Sequence, residues 1–159
     1  MNKKAIFEVA YLLLIAMTAG AVLVLGVFVA AVVFHSEFYL TLPILSRYEE
    51  GKIMGEIFRR FSYWAYFMTV VIAVYEISRY KVMQIDKIAI LSALGSMGTL
   101  LLFSAVYTPK ILEYQALGEE AMDASFEALH KASEIDFKIL LVMLLILFMR
   151  RAYLMAVKK

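Results

Sequence analysis

The chain has 159 residues, 64% apolar and 19% charged, where soluble domains hold about 45–50% and about 25%. A chain this short cannot hide that much apolar surface in its own core, so lipid must solvate much of it. The net charge of +2 without a basic cluster interleaved with aromatics excludes nucleic acid as a partner, and the lack of cysteine excludes disulfides, thiolate metal sites and cysteine nucleophiles.

The apolar run from Ala5 to Phe34 is broken only by Glu8. It is far longer than the apolar region of a signal peptide, so it reads as a retained membrane helix, over about 6–34. Ala16, Gly20, Gly26 and Ala30 place small residues at near four-residue spacing, where a neighbouring helix can approach closely. A polar connection from His35 to Arg60 follows, with Pro43, Gly51 and the Glu49-Glu50 pair; its second half, from Lys52, already has helical spacing. The second span, about 61–78, opens with Phe61, Tyr63, Trp64, Tyr66 and Phe67, as befits a helix entering through the interface.

A short basic loop, Arg79 to Lys87, leads to a third span over about 88–107, with Ser92, Gly95, Ser96 and Thr99 on one stripe. Pro109 is either the first residue of a new helix or a kink in the old one. The acidic stretch from Ile111 to Asp136 is punctuated by Gly118 and predicts a helical extension between spans three and four.

The fourth span, about 131–157, is irregular. Ile139 to Met149 supplies eleven apolar residues, ~16 Å of helix, about half the hydrocarbon thickness. Either the helix runs on past Arg150-Arg151 with both arginines snorkelling, or it starts earlier and draws His130, Glu134, Asp136 and Lys138 toward membrane depth. The fold class expected is therefore an all-α integral membrane protein, one transmembrane domain of four helices over residues 1–159.

Four spans put Lys3, Lys4, Arg79, Lys81, Lys87, Arg150, Arg151, Lys158 and Lys159 on one side, with only Glu8, Glu76 and Asp86 as acids. The other side holds seven basic and eleven acidic residues. The positive-inside rule then sets both termini in the cytoplasm, and a bacterial inner membrane suits the pattern.

Nothing resembles a nucleophile elbow, a phosphate loop or a zincin helix, so no enzyme is expected. The chemistry-bearing residues instead form a candidate polar cluster at the outward ends of spans two and four: Glu56, Arg59, Arg60, His130, Ser133, Asp136 and Lys138. The bland alternative is an ordinary interface with those charges in water. Glu127-x-x-His130 puts a carboxylate and an imidazole on one helical face, and Glu134 continues it, so a metal site would draw on His35, Glu127, His130 and Glu134. A haem between His35 and His130 is a further alternative, although the sequence requires no cofactor. The ten scattered methionines read as core filler.

Gly26-Val-Phe-Val-Ala-Ala-Val-Val-Phe34, Leu42-Pro43 and Glu49-Glu-Gly-Lys-Ile-Met-Gly-Glu-Ile-Phe-Arg-Arg-Phe61 resemble the first signature of the transmembrane protein 205-like family. Thr108-Pro-Lys-Ile111 and Phe126-Glu-Ala-Leu-His-Lys-Ala-Ser133 are similar to the second. Val32 stands where the family commonly has proline, and Asp136 where it commonly has asparagine. The resemblance implies a four-helix membrane domain, and one member's link to platinum-drug resistance points toward transport or trafficking. Three functions compete: a transport or permeation component for a metal ion or small solute, a non-catalytic accessory subunit of a larger membrane complex, and a haem- or metal-binding membrane protein. The bilayer is the partner expected, and self-association or a larger complex is compatible with the pattern.

Overall fold

The computed structural model describes residues 3–40, 45–81 and 85–157. Pro43, Lys158 and Lys159 lie outside them. Every regular element among the described residues is helical, and four helices are long and apolar enough to cross a membrane. The protein is an all-α membrane bundle.

Helix α1 is α-helical over Lys3–Leu23, π-wound over Val24–Val29 and α-helical again over Ala30–Val33. A 3-10 turn, Ser36–Phe38, follows. Helix α2, Arg47–Lys81, starts nearly four turns before the span expected at about 61–78, and before the helical spacing read from Lys52, because Ser46 and Glu49 form a capping box. Glu49 N donates to Ser46 Oγ at 3.3 Å, and Ser46 N donates to Glu49 Oε2 at 2.7 Å. Glu49 and Glu50 in the first turn and Arg79 and Lys81 in the last also oppose the helix dipole with the favourable sign.

Helix α3 runs over Lys87–Leu102, a π-wound stretch Phe103–Tyr107 and Thr108–Leu117. Asp86 caps it, accepting from Ala89 N at 2.9 Å. Pro109 neither starts a new element nor breaks the old one. It offers no N–H, so a carbonyl in the preceding turn needs another donor; the winding loosens there, and Tyr66 of α2 donates to Ser104 O at 3.0 Å. Gly118, at φ 104°, ends the helix in a conformation costly for any other residue. After a 3-10 turn, Glu119–Ala121, Asp123 accepts from the Ser125 and Phe126 amides and caps α4, Ala124–Ala156. The extension expected between spans three and four is thus shared between the last turns of α3 and the first turns of α4.

The helices alternate in direction, with α4 packed closely on both α3 and α1 and the α1–α2 seam the loosest. Ala16, Ala19 and Gly20 of α1 and Leu141, Leu145 and Phe148 of α4 line a cleft between the two helices, and Gly20 has nothing close to it. Ile15, Met68, Ile72, Leu100, Leu140, Leu144 and Leu147 are fully buried at mid-bundle. Trp64 Nε1 donates to Thr18 Oγ1 at 3.0 Å and ties α2 to α1. Leu13, Val70, Leu91, Val142 and Met149 face outward, the arrangement lipid requires. With 29 to 35 residues each, the helices measure ~44–52 Å and so project beyond ~30 Å of hydrocarbon.

Candidate functional site

The end of the bundle opposite the termini, the far end, is stitched together by polar side chains. Tyr48 Oη donates to Gln115 O at 2.5 Å, and Gln115 Nε2 donates to Gly51 O at 2.8 Å, locking α2 to α3. Gly55 permits this approach, since a Cβ there would run into Gln115 Oε1 and lie 3.1 Å from Leu112. Ser36 Oγ donates to the buried Glu50 carboxylate at 2.5 Å, and Arg47 donates to Phe34 O at 2.8 Å while its guanidinium covers the Phe34 ring. The turn after α1 is thereby held to the start of α2.

Between these ties lies a cavity of about 240 Å³, whose lining includes Tyr48, Gly55, Gln115, Glu127, His130 and Ser133. A second cavity of about 260 Å³ adjoins it between α1 and α4 and shares Phe34, Phe58, His130 and Ser133 with it. An aromatic cluster closes the floor. Phe103 and Phe137 stand 4.8 Å apart between ring centroids, with Phe58 and Phe61 edge-on to both at 5.2 to 6.0 Å.

Asp136 lies one turn below Ser133 on the inward stripe of α4. It is 5% exposed, and its Oδ2 has no hydrogen-bond partner. Thr108 of α3, equally buried, has an unpartnered Oγ1. Such groups are rare in folded proteins and call for an explanation.

The terminal end, where α1 begins and α4 ends, is built differently. Arg79 of α2 donates to Glu8 of α1 at 2.8 Å. Arg151 of α4 makes a two-pronged pair with Glu76 of α2, which also accepts from Tyr11 of α1 at 3.0 Å. Arg150 grips Asp86 through Nε and Nη2, at 2.7 to 3.1 Å. Tyr11 stacks on Tyr75 at 3.6 Å, and Tyr75 also faces the guanidinium groups of Arg79 and Arg151. Arg150 holds the Asp86 carboxyl below its ordinary value, with the Ala89 amide adding to the effect.

A match to the family described as Domain of unknown function (DUF4149) covers residues 13–120. The chain belongs to this family. No curated protein and no solved structure matches it. The matched segment holds Gly51, Gly55, Thr108 and Gln115 of the far end and stops short of α4, so His130, Ser133 and Asp136 stand outside it.

The structure divides the cluster expected from the sequence. His130 and Ser133 line the cavity and Asp136 is buried beneath it. Glu56, Arg59 and Arg60 do not join them. Glu56 bonds Arg59 at 2.7 and 2.9 Å and Arg60 at 2.8 Å, and Arg59 reaches Tyr63, all on the exposed side of α2. The pairing between spans two and four is therefore replaced by pairing within a turn of α2, because i,i+3 and i,i+4 neighbours meet without bending either helix. Lys138 is exposed and stays on α4, 3.7 Å from Glu134, which also lies 3.3 Å from His130 Nε2.

Of the metal candidates, only His130 and Glu134 meet. His35 Nδ1 is 2.9 Å from Ala31 O and its ring stacks on Phe38, and Glu127 is exposed at the cavity rim. Among the described residues no three His, Asp or Glu side chains come together as a metal set. The arginines of α4 do not snorkel. Arg150 and Arg151 turn inward to acidic partners, and Arg151 is 5% exposed.

Sequence reasoning missed Gln115, Tyr48, Glu50 and Thr108 at the far end and the whole set of terminal-end pairs. A signal existed for the latter. Glu8 and Glu76 each interrupt an apolar run close to the same membrane face, as does Arg151 from α4, and buried charges of opposite sign at one depth call for one another.

Proposed function

We propose that the protein is a small, non-enzymatic transport or permeation component that admits a small solute into the far-end cavity, with that end facing outward and both termini in the cytoplasm of a bacterial inner membrane. One observation carries the reading: a polar-rimmed cavity reaches from the far end to buried Ser133, directly above an unpaired intramembrane carboxyl. Intramembrane ionisable groups that face a bundle interior mark solute or ion paths. The aromatic floor and the paired terminal end support a cavity that opens at the far end. The basic bias of the terminal end supports the orientation, and the resemblance to the transmembrane protein 205-like family supports the transport class.

The test is solute release from liposomes containing the purified protein, with Ser133→Trp as the blocked control. Release of small ions or polar solutes that Ser133→Trp abolishes is expected. Liposomes that release nothing beyond the Ser133→Trp background, across cations, anions and neutral solutes, would overturn the proposal.

A second reading, an accessory subunit, draws on a different feature. A groove of about 680 Å³ runs between α1 and α2 at the terminal end, and Phe7, Leu14, Val70 and Val74 give it an apolar lining that suits a partner helix. A stoichiometric membrane partner lost on Val70→Trp would favour it.

A further inference from the structure

Asp136 is the buried charge that the ion pairs leave out. Fifteen residues, ~22 Å of helix, separate it from Arg151, whose pair with Glu76 marks the terminal end. That distance keeps Asp136 inside a hydrocarbon layer of ~30 Å. The register of α3 against α4 is fixed by Asp86 on Arg150, by the approach of Gly95 to Met143 and by Phe103 on Phe137. Continued upward, it sets Thr108 within about one turn of Asp136 along the bundle. Both π-wound stretches flank the same level. Gly26 in the first lies against the Phe137 ring, and Phe103 begins the second. Such windings recur at functional sites.

No cation among the described residues serves Asp136. Helix α1 has no ionisable residue between Tyr11 and His35. Helix α2 presents Phe58 and Phe61 at this level, its Glu56, Arg59 and Arg60 satisfy one another on the exposed side, and the Tyr66 hydroxyl goes to Ser104 O. On α3, Lys110 is exposed. On α4, Ser133 Oγ donates to His130 O, and His130 and Lys138 both lie against Glu134.

An unpaired carboxylate in this setting costs several kcal/mol, so something must neutralise it. A monovalent cation cancels the single carboxylate charge, whereas a divalent ion would leave a net buried charge. We infer that Asp136, assisted by Thr108, holds a small monovalent cation, a proton or an alkali-metal ion that keeps part of its water shell, taken up through the far-end cavity. The uptake route rests on the cavity reading given above. The neutralised carboxyl does not.

Infrared spectra and thermal unfolding of the purified protein and Asp136→Asn test this. A protonated-carboxyl carbonyl band that vanishes in Asp136→Asn identifies the proton. A rise in unfolding temperature when sodium or potassium replaces choline at fixed ionic strength, absent in Asp136→Asn, identifies the alkali ion; about 3–6 °C is expected at ten times its Kd. Thr108→Val lowers the apparent cation affinity, and Asp136→Glu, which keeps the carboxyl, shifts the band and covers the case in which Asp136→Asn does not fold. No band in the wild-type protein, together with unfolding indifferent to the cation supplied, overturns the inference. Water access to Ser133→Cys is scored separately, so a sealed cavity with an intact band would fail the route and leave the site standing.

Discussion

The two ends of the bundle bury charge in opposite ways. At the terminal end Glu8, Glu76 and Asp86 each have an arginine from another helix within hydrogen-bonding distance. Two-thirds of a membrane thickness away, Asp136 has none. Paired charges fix helix positions, since each pair is satisfied in one arrangement only. An unpaired one contributes no such constraint and keeps an acceptor free for a ligand. The terminal end is thus the clamp, and the far end is where the proposed site lies.

The sharpest way to break this contrast is to remove one charge from each end. Arg151→Leu strands Glu76 beneath Tyr11 and Tyr75, and a loss of about 3–5 kcal/mol is expected in detergent unfolding, with part recovered when Glu76→Gln is added. In choline medium Asp136→Leu should do the reverse, raising stability by about 1–3 kcal/mol, because it removes a buried carboxyl that no side chain of another helix pairs. Equal destabilisation by both would mean that Asp136 is part of the clamp.

This division was only half legible in the sequence. Apolar run lengths gave four spans, and Gly118 gave the break before α4, because lipid imposes a length and a left-handed turn demands glycine. Helix ends were harder. The Ser46–Glu49 capping box and the continuation through Pro109 depend on a few local bonds that hydropathy does not see. His130, Ser133 and Asp136 stand on one helix, where three-residue spacing sets them along one face. Their separation from Glu56, Arg59 and Arg60 was not visible, because it depends on the rotation of α2 about its own axis.

Smaller effects sharpen the same comparison. Trp64→Phe removes the Trp64–Thr18 hydrogen bond that joins α1 to α2 at mid-depth and should cost about 0.6–1 kcal/mol by thermal unfolding, well below the loss for Arg151→Leu. The smallest effect is in the pH dependence. Arg150 lowers the Asp86 pKa on folding, so the pair contributes stability above about pH 3.9, and that contribution is lost as the pH falls through the lowered folded value. The gap in unfolding temperature between wild type and Asp86→Asn should therefore be constant near neutrality and close in acid.

The chain has no cysteine, so single cysteines report access directly. The decisive measurement is the labelling rate of Ser133→Cys and Leu140→Cys in sealed membranes by a membrane-impermeant thiol reagent added to one side or the other. The account predicts that Ser133→Cys reacts from the far side alone and that Leu140→Cys, two turns below and fully buried, reacts from neither. Protection of Ser133→Cys from both sides, or labelling of Leu140→Cys from the terminal side, would contradict it.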